Sequence, residues 1–263
     1  MNNIGFKIVD KNEDIVIEIL KEAQLKNCPV EMGLYGESQR VRTFCAKLDI
    51  PLNIHFNHIV YTLSELDKYK DLFFEEIKIA KAIGANYGIH HMAKYPMTGQ
   101  SGYQSILIKE VLNRMLRVEA LAQEADFEVY IENTFESISF YRKVFLGLRE
   151  KQTKKLNFCF DIGHAKVWSG DAFRSWLEFL TELKSLGFKL HFHLHANRGL
   201  IDEHLSPMEA NDMGFDGNDG VFSDLTNEEM YREIFDKFPD ERKIFEVKPL
   251  LAVENQNHIL SIL

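Results

Sequence analysis

The feature that most constrains this chain is a repeated alternation of a short β-rich run with an amphipathic helical run. The strand candidates are Ile4–Val9, Val30–Tyr35, Leu52–Phe56, Tyr87–Met92, Glu128–Glu132, Leu156–Asp161, Lys189–His195 and Lys243–Val247. Strands that alternate with helices build parallel sheets, because a helical crossover must carry the chain back to the start of each new strand. A closed (β/α)8 barrel (a TIM barrel) and an open doubly wound sheet both satisfy that rule. No glycine-rich dinucleotide fingerprint follows an early strand, and polar residues recur at the strand ends. The α/β barrel is therefore the expected fold. The 263 residues suit one barrel, and no Pro/Gly/Ser linker or low-complexity tract divides them, so residues 1–263 are read as a single domain.

The helical runs carry the matching period. Leu66, Tyr69, Phe73, Ile77 and Ala80 recur at spacings of three and four, as do Leu107, Val111, Met115, Val118 and Ala122. Phe173, Trp176, Leu177, Leu180 and Leu183 repeat the pattern after strand 6. Asp10 with Glu13, and Thr62 with Glu65, have capping-box spacing, while Gly84 and Gly187 stand just beyond helical runs as stop signals. Leu205–Leu225, rich in glycine and acidic residues, reads as a long loop after strand 7.

Composition narrows the partners. A net charge of -9 argues against a protein that coats nucleic acid, since phosphate neutralisation needs clustered Lys and Arg. Cys28, Cys45 and Cys159 are scattered without a CxxC pair, which disfavours a disulfide framework or a zinc knuckle. No run of about 18 apolar residues is present, as a membrane span would need. The N-terminus, MNNIGFKIVDKNED, has no signal-peptide core. The expectation is a cytoplasmic protein with no membrane partner.

The chemistry gathers where strands end. Strand 3 ends in NIHFNH (53–58), strand 4 in IHH (89–91), strand 5 in IEN (131–133) and strand 6 in FDIGH (160–164). Strand 7 reads HFHLH (191–195) and strand 8 ends in FEV (245–247). In a barrel these ends converge on one mouth, where active sites form. Alternation puts His191, His193 and His195 on one face of strand 7, with His191 deepest and best placed to bond a neighbour. A strand-end His or carboxylate taken alone is more often a cap or a satisfied core group. Taken together, Glu132, Asp161 and Glu246 would repel one another by several kcal/mol if buried without a cation. Mixed His/carboxylate ligation suits Mn²⁺, Zn²⁺, Co²⁺ or Fe²⁺ better than Ca²⁺.

The strings IENTF (131–135), FDIGHA (160–165), HLHANRG (193–199) with DEH (202–204), and FEVKP (245–249) resemble the xylose isomerase-like barrels. That group takes in the sugar phosphate isomerases and epimerases and the family 2 AP endonucleases. In the isomerases and epimerases one metal is held from four strands, and the matching positions are Glu132, Asp161, His193 and Glu246. The resemblance also implies substrate contacts for His164 and Arg198, with His195 and Trp168 beside them. The endonuclease IV branch holds three metals, and His55, His91 (or His90), His164, Asp202 and His204 stand where its extra ligands would be. Two departures from that branch are Ala196 where it carries Asp and a longer stretch from Pro207 to Phe222.

The resemblance implies a divalent-metal-dependent isomerase or epimerase of a sugar, sugar phosphate or related α-hydroxy ketone. One ion would stabilise an enediolate while Glu132 and Glu246 exchange the proton. The alternatives are a phosphoester hydrolase with up to three ions and a barrel that binds metal or sugar without catalysis. Trp168, Phe56 and Tyr35 are candidate apolar walls. Lys166 and Lys248 read as solvated lysines near strand ends.

Overall fold

The computed structural model describes residues 3–97 and 103–262. Eight parallel strands close into a barrel in chain order. They are β1 (Ile4–Val9), β2 (Val30–Gly33), β3 (Leu52–His55), β4 (Tyr87–His91), β5 (Glu128–Glu132), β6 (Leu156–Asp161), β7 (Leu190–Leu194) and β8 (Arg242–Phe245). Every expected strand is present, with ends differing by a few residues. Around them lie α1 (Glu13–Lys26), α2 (Gln39–Cys45), α3 (Lys70–Ala82), α4 (Gln104–Glu124) and α5 (Ile138–Glu150). The short α6 (Ile162–His164), then α7 (Phe173–Ser185), α8 (Pro207–Asp212), α9 (Asn227–Lys237) and α10 (Ala252–Ile262) complete the ring. No helix among the described residues is long and apolar enough to cross a membrane.

The apolar core fills the space between barrel and helices. Trp176, Phe179 and Leu183 of α7 pack inward with Phe158 and Phe160 of β6, as the three-four spacing predicts. The barrel interior is different, because its upper layers are polar. Parallel register sets residues side by side on one face. Lys7 pairs with Glu31, and Glu31 with Asn53. Across the barrel His91 pairs with Glu132, and Asp161 with His193.

Two local expectations need correction. Asp10 does not cap α1, which starts after Asn12 in the left-handed conformation. Its carboxylate instead accepts from Arg42 Nε at 3.0 Å and Nη2 at 2.7 Å, and from the Gly36 amide. This ties the β1 exit to the β2 exit. The segment after β7 is not all loop: Ala196 and Leu205 form an antiparallel bridge, and Ser206 with Glu209 makes a full capping box for α8. The Ser-Pro-x-Glu string is the signal for it. Gly84 and Gly187 take φ of +85° and +90°, the left-handed stops expected of them.

One buried carboxylate steers the β3 exit. Glu76 of α3 accepts from the Asn57 amide at 3.1 Å and from the Tyr61 hydroxyl, fixing the turn that follows β3. Burial pushes its carboxyl up to about 7, against the opposing pull of those two donors. A carboxyl raised in the folded state holds its proton where the unfolded chain has lost it. Its contribution is therefore full at acid pH and falls away between about 4.5 and 7. Glu76→Gln should gain on the wild type as pH rises from 5 to 8, by about 3 kcal/mol at most. Urea unfolding of both proteins across that range is the check. A stability difference that does not move with pH would contradict the assignment.

Candidate metal centre

Three carboxylates and one imidazole meet at the barrel mouth. Glu132 ends β5, Asp161 ends β6, His193 lies on β7, and Glu246 follows β8. His193 Nδ1 is 3.0 Å from Glu246 Oε1, 3.2 Å from Glu132 Oε1 and 3.9 Å from Asp161 Oδ2. All four residues are buried. The four positions singled out in the sequence are thus brought around one point.

A second group adjoins it. His55 Nε2 and His91 Nε2 are 3.0 and 3.2 Å from Glu132 Oε2. Between His90 and His91 the register decides: His91 stands beside Glu132 and shares its face. His90 therefore points out of the barrel, packed on the Phe56 ring at 5.2 Å and edge-on to Tyr61 at 4.6 Å. Phe56 accordingly belongs to that outer layer and not to the mouth. His58 stacks on His91 at 3.9 Å, and the Tyr35 hydroxyl lies 2.7 Å from His55 Nδ1 and 3.0 Å from His58 Nδ1.

A third group rises from α6 and the segment after β7. Asp161 Oδ1 accepts from the His164 amide at 2.7 Å, so the strand-end carboxylate also starts the turn that delivers His164. His164 Nε2 is 3.3 Å and His204 Nε2 2.8 Å from Asp202 Oδ2. His195 Nε2 lies between Asp161 Oδ1 at 3.3 Å and Asp202 Oδ1 at 3.6 Å. A Cβ on Gly163 would come within 2.0 Å of the His195 ring, so that glycine leaves room for the imidazole. His204 holds a φ of +51°, an uncommon backbone state for a non-glycine residue and one enriched at functional sites.

The histidines are oriented in the same way. The Nδ1 atoms of His55, His164, His195 and His204 face the backbone carbonyls of Phe56, Asn133, Ala196 and Glu246 at 2.9, 2.8, 3.4 and 3.1 Å. A carbonyl can only accept, so Nδ1 carries the proton and Nε2 presents its lone pair to a carboxylate. Two acceptors then face each other at 3 Å, a contact that needs either a second proton or a cation. This is the orientation that ligating histidines adopt. Asp161 Oδ2 and Asp202 Oδ1 are buried with no hydrogen-bond partner among the described residues. The donor set fits a divalent ion.

The charge balance reflects the same need. Burial works against every ion here, yet Asp161, Asp202 and Glu132 outweigh it and hold His164 up at about 10. Burial likewise opposes a proton on His193, but Cys159, Glu246, Glu31 and Glu132 drive that imidazole well above its ordinary value. Burial would raise Glu246, and His193, Lys7 and His204 bring it down to about 2. Without a cation, imidazolium protons neutralise the carboxylates.

Sequence reading missed three contributors: Glu31, Lys7 and His58. Glu31 receives His193 Nε2 at 3.1 Å and Asn53 Nδ2 at 2.6 Å, while His191 Nε2 lies 3.3 Å from it without a hydrogen bond. His191 is buried as expected, and the neighbour it bonds is Tyr87, whose hydroxyl lies 3.1 Å from its Nδ1. Lys7 bonds Glu246 directly and lies 3.8 Å from Glu31. For these two the signal is a charged residue inside an apolar strand run, IGFKIV or VEMG. For His58 it is the NIHFNH string itself. Arg198 is drawn aside: its guanidinium pairs with Glu203 at 2.8 Å, and it does not line the cleft. Trp168 does line it, 5.0 Å from the His164 ring. Lys166 is not solvated, being nearly buried and bonded to Asp219 at 2.8 Å.

No family model matches the chain. The uncharacterized protein MJ1311 of Methanocaldococcus jannaschii is 28% identical over 121 residues, 42% of this chain and 38% of that protein. The match thus spans less than half of that relative's length. Solved structures align over nearly the whole chain. A D-tagatose 3-epimerase-like protein has 17% identity and a TM-score of 0.66, covering 98% of this chain and 97% of its own. The TTHB071 protein from Thermus thermophilus, soaked with zinc chloride, has 17% identity and a TM-score of 0.68, covering 98% of both chains. The 3-keto-D-glucoside 4-epimerase YcjR from E. coli has 11% identity and a TM-score of 0.64, covering 99% of this chain and 98% of its own. The chain has the fold of the xylose isomerase-like sugar isomerase and epimerase barrels.

Ion uptake should be coupled to proton release, because a cation replaces protons on His164 and His193. Zinc titrated calorimetrically at pH 7 in buffers of different ionisation enthalpy should show more than one proton released per ion. Affinity should climb from pH 6 to 8. Proton release near zero would mean that the imidazoles are not the groups displaced.

Proposed function

We propose that the protein is a divalent-metal-dependent isomerase or epimerase acting on a sugar or related α-hydroxy ketone. The observation that carries this is the convergence of Glu132 and Glu246 from different strands on one His193 nitrogen, beside Asp161. These four residues would hold a Mn²⁺, Zn²⁺ or Co²⁺ ion. When bound, the ion supplies Lewis-acid stabilisation of negative charge on substrate oxygens.

The chain's own residues handle the proton. Glu246 lines the cleft, and it is the carboxylate assigned to take a proton from the carbon beside the keto group. Glu132, beneath His91 and His164, is assigned to return one on the other face from its protonated form, and exchange with solvent then resets both carboxyls. His193 and Lys7 favour the ionised form of Glu246. His164 and His195 would orient substrate hydroxyls where they do not serve an ion. The names of the neighbouring epimerases favour a carbohydrate-like small molecule over nucleic acid.

The rival is phosphoester hydrolysis with several ions. It is favoured by one observation: His55 with His58 and His91, and His195 with Asp202 and His204, form two further donor groups beside Glu132 and Asp161. Against it stands the pairing of the lysines that line the cleft: Lys7 with Glu246, Lys248 with Glu209 at 2.6 Å, and Lys94 with Glu65 at 3.7 Å.

Metal-loaded protein should incorporate solvent deuterium into at least one member of a ketose panel. Glu132→Gln and Glu246→Gln should each lower that rate by about 10² to 10⁴, the range for lost acid–base catalysis. Exchange that survives in both variants would remove the two-carboxylate scheme. Nicking of abasic-site DNA by protein carrying two or three zinc ions would establish the rival.

A further inference from the structure

The cleft has two lobes that differ in chemistry. One, of about 300 Å³, is bounded by Lys7, Tyr35, Glu246 and Lys248. The other, of about 350 Å³, is bounded by Ile59, Ala93, Tyr95, Phe135 and Trp168. His58, His91, His164 and Asp202 border both, so the lobes meet at the donor groups that adjoin the metal centre. Each alone reaches the size of a small-ligand site, roughly 300 Å³ or more. A single sugar ring fills one and leaves the other to water.

The second lobe suits an uncharged ring. Trp168 is 36% exposed, and its ring is braced by Phe135 at 4.7 Å and His164 at 5.0 Å, which fixes the indole as a platform. Tyr95 and Ile59 add exposed apolar area at the edge. A pyranose or aryl ring lays its C–H face on such a surface while its substituents stay at the rim. The lobe is poorly suited to phosphate. Among the described residues no arginine lines it, and its lysine, Lys94, is held by Val60 O at 2.8 Å and by Glu65. Asp202 would repel an anion.

We infer that the substrate is a two-ring, unphosphorylated keto sugar, with the reacting ketose over the metal centre and a neutral second ring stacked on Trp168. The inference rests on the isomerase reading for its reacting half, while the subsite itself can be read by binding alone. The test uses metal-loaded full-length protein with fructose, fructose 6-phosphate and the keto-disaccharides lactulose, isomaltulose and turanose. Deuterium exchange gives turnover, and calorimetric titration gives binding independent of turnover.

At least one disaccharide should surpass fructose and its phosphate tenfold or more in kcat/KM and in affinity. Trp168→Ala should erase the disaccharides' advantage over fructose, and Trp168→Phe should restore it. If fructose or its phosphate matches every disaccharide, or if Trp168→Ala weakens all of them alike, the subsite is refuted and any exchange keeps the isomerase reading. If nothing exchanges but a disaccharide still binds tenfold tighter through Trp168, the isomerase reading falls and the subsite stands. Absence of both exchange and preferential binding overturns the two together.

Discussion

Everything at the mouth of this barrel depends on acceptor facing acceptor. Each of four imidazoles turns its protonated nitrogen toward a backbone carbonyl and its bare nitrogen toward a carboxylate. Such contacts at about 3 Å repel unless something positive lies between them. Protons can fill that role, and the carboxylates facing His164 and His204 raise both imidazoles toward it. A divalent cation fills it better, since one ion neutralises two carboxylates without charging an imidazole. The carbonyl anchors belong to the strand ends and their following turns, so the orientation is built into the backbone and precedes any ion.

Register converts that local chemistry into a centre. In a parallel barrel, neighbours in register share a face, and the pairs His91–Glu132 and Asp161–His193 are set by strand alignment alone. A slip of one residue would turn His90 inward and send His91 into the apolar layer beside Phe56. Below the mouth, Lys7, Glu31 and Asn53 form a polar tier where such barrels usually stack branched apolar side chains. That tier couples the walls: Glu31 holds His193, and Lys7 links Glu31 to Glu246. A change at Glu31 would release His193 even though Glu31 lies below the mouth.

The barrel was legible because each strand and the main barrel helices announce themselves locally, through period and through glycine stops such as Gly84 and Gly187, whereas the short α8 did not. The mouth was legible for a related reason: residues such as Glu132 and Asp161 close β-rich runs, and closing a run in a parallel barrel means reaching the mouth. Lys7 and Glu31 were not legible. They sit mid-strand, and only alternation against apolar neighbours marks them as inward-facing, a signal as weak as two residues. Asp10 misled because its spacing to Glu13 copies a capping box, whereas its partner Arg42 is distant in sequence. Arg198 follows HxHxN as a substrate-binding arginine would, yet Glu203 five residues on takes its guanidinium. In each case the deciding contact is tertiary.

Charge then separates the chemistries this fold can host. A polyanionic substrate needs cations free to meet it, and the lysines bordering the cleft are each engaged by a carboxylate. A bound ion or ions would compensate the buried carboxylates first, leaving little excess positive charge for phosphate. A neutral polyol imposes no such demand. Its hydroxyls can exchange hydrogen bonds with the imidazole and carboxylate edges of the cleft, and its C–H faces can rest on Trp168. The acidity of the chain, the tied lysines and the aromatic second lobe are independent features of sequence and structure. They favour the proposed neutral substrate over a polyanion, which is why the isomerase reading is preferred even though the mouth has donors enough for more than one metal.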